Sequence, residues 1–66
     1  MSDNREPITL AQFLKLVEIA PTGGHAKNLV REGRATVNGQ REERPGRKLQ
    51  PGDTVEIDGS RFTVGG

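Results

Sequence analysis

Thr22-Gly23-Gly24-His25-Ala26-Lys27-Asn28-Leu29-Val30-Arg31-Glu32-Gly33-Arg34-Ala35-Thr36-Val37-Asn38-Gly39 changes its hydrophobic period halfway along, and that change decides the fold. Ala26, Leu29 and Val30 recur at helical spacing behind Thr22, a residue suited to cap a helix N-terminus. Gly33 fits the C′ position, where positive φ costs glycine nothing. The spacing predicts a helix over 23–32, about three turns, too short to be stable unless it packs on something. Beyond Gly33 the period drops to two. Ala35-Thr36-Val37, Asn38-Gly39 and Gln40-Arg41 form a hairpin signal, because Asn-Gly accepts the two positive φ values of a type I′ turn.

Upstream, Thr9 and Gln12 have capping-box spacing, and Leu10, Phe13, Leu14 and Val17 mark one apolar face. A first helix is expected over 9–19, stopped by Pro21. Residues 1–7 are polar and read as a flexible arm. Downstream, Leu49 is a lone apolar anchor and Pro51-Gly52-Asp53 a turn. Thr54–Ile57 alternates, Asp58-Gly59 turns, and Arg61–Val64 returns as a second hairpin. Helices first and strands after give an α+β chain, with one domain over 8–64 and a flexible tail at 65–66.

Composition removes several functions. The 66 residues suffice for one small domain. With no cysteine there is no disulfide, thiolate nucleophile or Cys-bound zinc, and the single histidine, His25, cannot build a metal site alone. No cofactor is expected. Phe13 and Phe62 are the only aromatic residues, too few for base-stacking platforms. No apolar run approaches the roughly 18 residues that span a bilayer, and the polar N-terminus lacks a signal-peptide core. A cytoplasmic monomer with no membrane contact is expected. Glu42-Glu43 lacks a neighbouring nucleophile or base, so neither an enzyme nor a small-molecule substrate is expected.

The net charge of +1 conceals a dipole. Residues 24–48 hold seven basic residues against three acidic ones; the rest of the chain holds three against six. Lys27 and Arg31, four apart, share a helical face distinct from the apolar one. The Thr22-Gly23-Gly24 turn adds free N–H groups at a helix N-terminus, which suit an anion. Arg44-Pro45-Gly46-Arg47-Lys48 is a basic loop that can lie beside that face. Scattered cations usually serve only solubility. Their segregation here, and the preference for arginine, favour a phosphate-binding surface. Asn28 is a further hydrogen-bonding candidate. Arg34 has two readings, a phosphate contact or an ion pair with Glu32. Arg41 is expected to pair with Glu42 or Glu43, and Asp53 to serve its turn.

Helix one, Thr22-Gly23-Gly24-His25-Ala26-Lys27, Gly33, Val37-Asn38-Gly39, Arg44 and Gly52-Asp53, in that order, resemble the S4-type RNA-binding domain, especially its small stand-alone bacterial members. The resemblance covers residues 8–64. It implies two N-terminal helices packed on a small, mostly antiparallel sheet. It also implies binding of structured RNA, ribosomal or tRNA-like, without catalysis, on the ribosome during its assembly. The residues implicated are Gly24, His25, Lys27, Asn28, Arg31, Arg34, Arg44, Arg47 and Lys48. Recognition would run through shape and phosphate contacts, since A-form RNA hides its base edges in a deep, narrow groove.

Two rivals remain. Val64-Gly65-Gly66 resembles the tail of ubiquitin-like sulfur carriers, which form a C-terminal thiocarboxylate on a Gly-Gly end. Those carriers open with a β-hairpin, and here only a short polar segment precedes Thr9. A protein-binding adaptor is the other.

Overall fold

The computed structural model describes residues 8–65. The arm expected over 1–7, and Gly66 of the expected tail, lie outside the described residues. Two helices come first, α1 (Leu10–Leu16) and α2 (Gly23–Arg31). Four short strands follow: β1 (Ala35–Val37), β2 (Gln40–Arg41), β3 (Thr54–Ile57) and β4 (Ser60–Thr63). They form one sheet in the order β2-β1-β3-β4 with every pairing antiparallel. This is the α+β, S4-type arrangement of two N-terminal helices on a small sheet.

The first helix stops sooner than expected. It ends at Leu16 because Glu18 adopts a left-handed conformation, φ 65°. The Glu18 N–H then donates to the Lys15 carbonyl at 3.1 Å and the Ile19 N–H to the Leu14 carbonyl at 3.0 Å. That pair of bonds is a Schellman motif, and it closes the helix before Pro21 is reached. The second helix ends within one residue of expectation, at Arg31, with Gly33 at φ 76°. Both tight turns have the expected geometry: Asn38 and Gly39 at φ 54° and 84°, Asp58 and Gly59 at 50° and 85°.

One face of the sheet meets the helices. Register pairs Ala35 with Ile57 and Val37 with Val55, and all four are buried. Leu10, Phe13 and Leu14 of α1 and Ala26, Leu29 and Val30 of α2 close over them, with Leu49 and Val64 from the loops. The Leu, Ile, Val and Phe side chains among these contribute roughly 1.5–3 kcal/mol each when fully buried. Phe13 and half-buried Phe62 meet edge to face, 6.1 Å between centroids. The opposite face carries Arg41, Thr36, Glu56 and Arg61 in one row across the four strands. No helix among the described residues is long and apolar enough to cross a membrane.

Asn38, in the first hairpin turn, and Asp53, at the end of the β2–β3 connection, fasten the sheet to that connection. The Asn38 amide donates to Asp53 Oδ1 at 3.1 Å, while its oxygen accepts the Thr54 N–H at 3.0 Å. Asp53 also accepts the Gln50 N–H at 2.9 Å. These bonds hold the Asp53 carboxyl below its usual range, the Gln50 N–H having the larger effect. Asp53 is a turn residue.

Candidate nucleic-acid interface

The nine implicated residues fall into three groups. Gly24, His25, Lys27, Asn28 and Arg31 all sit on α2 and all are exposed. Thr22 caps this helix: its Oγ1 accepts the His25 N–H at 3.1 Å and its carbonyl the Ala26 N–H at 3.0 Å. Gly23 and Gly24, the first two residues of the helix, have N–H groups that no turn of α2 can reach. A Cβ at either position would meet no atom within 4 Å, so the backbone there is open to an approaching group. Among the described residues, neither Lys27 nor Arg31 has a carboxylate within ion-pair distance.

Arg44, Arg47 and Lys48 form the second group, and their loop is fastened to the start of α1. The Leu10 N–H donates to the Arg47 carbonyl at 2.8 Å and the Ala11 N–H to the Pro45 carbonyl at 3.1 Å. Thr9 and Lys48 form a single antiparallel bridge, and the Leu49 N–H donates to the Ile8 carbonyl at 2.8 Å. The sequence allows this loop to lie beside α2; the hydrogen bonds that hold it run to α1.

Beneath the loop lies Glu42, which the sequence offers only as one of two partners for Arg41. Its N–H donates to the Ala35 carbonyl at 3.0 Å, extending the β1–β2 ladder by one residue. Opposite Ala35, its side chain stands on the core side of the sheet and is buried, 6% exposed. Arg44 Nε donates to Oε2 at 3.0 Å, the Arg44 N–H to the same oxygen at 3.1 Å, and Arg47 Nη1 to Oε1 at 2.9 Å. Hydrogen bonds from Arg44, then from Arg47, hold the Glu42 carboxyl down to about 2, against the opposing effect of burial. A signal for this existed. Counting outward from the Asn38-Gly39 turn pairs residue 42 with Ala35, and Ala35 is a core position.

Arg34 stands apart. Its Nη2 and Nε reach the two oxygens of Asp58 at 2.9 and 3.2 Å, and Nη1 reaches Glu32 at 3.4 Å. The pairing with Glu32 is one of the two readings the sequence leaves open; the stronger one, with Asp58 on the far hairpin, is not among them. Arg34, Thr36, Glu56, Asp58 and Arg61 line a shallow groove of about 610 Å³. Its two arginines are matched by Asp58 and by Glu56, which lies 2.7 Å from Arg61. That groove is close to charge-neutral and offers little to a polyanion. Arg41 pairs loosely with Glu43 at 3.7 Å, one of the two partners expected of it.

Comparison with known proteins agrees with this arrangement. A model of the S4 domain family matches residues 2–65. The chain is 48% identical over 59 residues to a protein of Bacillus subtilis (strain 168) named probable ribosome maturation protein RlbA. The match covers 89% of this chain and 83% of that protein. With two helices on an antiparallel sheet, a basic α2 and a family match across nearly its whole length, the chain belongs to the S4 domain family, the RNA-binding family that its motifs resemble.

Proposed function

We propose that this protein binds structured RNA, specifically ribosomal RNA, during ribosome maturation, and that it acts by binding without catalysis. The domain over 8–64 presents two contact regions: the open start and basic face of α2, and the loop of Arg44, Arg47 and Lys48. The observation that carries this reading is the first turn of α2. Among the described residues, the N–H groups of Gly23 and Gly24 are free, the backbone there is uncrowded, and Lys27 and Arg31, one and two turns on, have no carboxylate partner. Together they form a site suited to phosphate. The relative from Bacillus subtilis, named for ribosome maturation, supports ribosomal RNA as the target. Arg34, held by Asp58 and Glu32, is the weakest member of the nine.

The test is an NMR titration of labelled protein with a ribosomal RNA stem-loop at two salt concentrations. Shifts are expected at Gly24, His25, Lys27, Asn28, Arg31, Arg44, Arg47 and Lys48, with Arg34 moving least. With four to six phosphate contacts, log affinity should fall against log salt with a slope of roughly −3 to −5. A protein whose resonances stay still at low salt does not bind RNA through this surface.

A further inference from the structure

Arg44 and Arg47 look alike in sequence and differ in place. Arg47 is largely covered, with 32% of its side chain exposed, and donates through Nη1 to Glu42. Arg44 is 79% exposed, yet it meets the same carboxylate side-on, with Nε on Oε2 at 3.0 Å and Nη2 on Oε1 at 3.5 Å. A guanidinium carries five N–H groups on a rigid plane. Side-on pairing occupies the Nε edge and leaves the Nη1–Nη2 edge for a second bidentate partner. The carboxylate cannot drift, since it is buried and also accepts the Arg44 backbone N–H.

Resting on the RNA-binding reading above, the geometry points to Glu42 as a positioning residue that aims the outer edge of Arg44 at an RNA phosphate, while Arg47 serves as a tether. Glu42 carries the wrong charge to touch RNA and acts only through Arg44. A lysine in place of Arg44 would keep the charge but could not meet a carboxylate and a phosphate on two adjacent edges of one plane.

Charge and positioning predict opposite signs for one substitution. Glu42→Gln removes a negative charge beside the loop, so simple electrostatics predicts tighter binding to RNA. Positioning predicts weaker binding: glutamine has one acceptor oxygen, so whichever way it turns, one arginine faces its NH₂ group. Affinity for a fluorescently labelled ribosomal RNA stem-loop, measured by anisotropy, separates the two. Glu42→Gln should weaken binding about fivefold, and Arg44→Lys by a similar factor with the salt slope unchanged. Circular dichroism melts check folding. If Glu42→Gln does not fold, Arg44→Lys, altered at an exposed side chain, decides alone.

Tighter or unchanged binding by a folded Glu42→Gln, or wild-type affinity in Arg44→Lys, overturns the positioning role. Wild-type protein and Lys27→Ala report separately on the parent reading. If the wild type does not bind the stem-loop, both proposals fall. If it binds and Lys27→Ala weakens it while Glu42→Gln tightens it, only the role of Glu42 falls.

Discussion

The two helices begin in opposite ways. In α1 all four leading N–H groups are satisfied from within the protein. Leu10 and Ala11 donate to the carbonyls of Arg47 and Pro45, Gln12 to Thr9 Oγ1, and Phe13 to the Thr9 carbonyl. The Gln12 side chain accepts the Thr9 N–H in return, completing a capping box. In α2, among the described residues, only the third and fourth N–H groups have partners, both on Thr22. The leading pair belongs to Gly23 and Gly24, and neither helix has an acidic residue in its first turn to neutralise the dipole. Under the proposed function, the open start of α2, beneath a basic face, is where an external acceptor would bind. The basic loop thus serves two ends: its carbonyls finish α1 while the Arg44 and Lys48 side chains stay exposed.

The sharpest way to break this comparison is to close the open end. Gly24→Asp puts a carboxylate at the start of α2, where no atom obstructs a new Cβ. It should stabilise the protein by roughly 0.5–1 kcal/mol, through the helix dipole and the replacement of a helical glycine. RNA affinity should fall on the order of tenfold or more, because the new charge faces the phosphate and occupies the free N–H groups. A melt and an anisotropy titration on the same sample read both signs. Higher stability with undiminished affinity would place RNA elsewhere on the molecule.

The closed end has its own weakness in acid. Glu42 holds the loop that caps α1, and its carboxyl titrates at about 2 against an ordinary 4.5. A carboxyl depressed by folding stabilises the native state above its unfolded value, and that stability is lost as pH falls through the folded value. Between pH 4.5 and about 2 the protein should therefore lose about 1–2 kcal/mol through this group. The loss is smaller than the full shift implies because Arg44 is solvent-exposed. Amide exchange should show Leu10 and Ala11 losing protection over this window before Ala26 does. In Glu42→Gln this contribution to the acid dependence of stability should disappear.

What could be read from the sequence, and what could not, divides along sequence distance. Helix α2, its Thr22 cap, its Gly33 end and both turns rest on residues within a few positions of one another, so local spacing sufficed. Lys27 and Arg31 were legible for the same reason. The pairings that sort the remaining cations are different: Arg34 meets Asp58 24 positions away, and the burial of Glu42 follows from strand register. Adjacent residues such as Glu42 and Glu43 face opposite sides of an extended chain, and only the register says which one is inside.

The far ends of the helices turn the same comparison around, since here both are closed by one device with different residues in the critical place. Each ends in a Schellman motif whose C′ residue has positive φ, Gly33 at 76° and Glu18 at 65°. A side chain in that conformation costs about 1 kcal/mol relative to glycine, from crowding of Cβ against the following carbonyl. Gly33→Ala should therefore destabilise by about that amount or slightly more, as its new Cβ would lie 3.1 Å from Arg41 Cδ and 3.2 Å from a Glu43 oxygen, both able to give way. Glu18→Gly should gain about 1 kcal/mol or somewhat less, since glycine also loses more entropy on folding. Because Glu18 is exposed and lies at the opposite end of α1 from the basic loop, RNA affinity should be unchanged. Thermal melts of the two variants should thus shift in opposite directions. A destabilised Glu18→Gly would mean that the glutamate side chain contributes more to closing α1 than its backbone conformation costs.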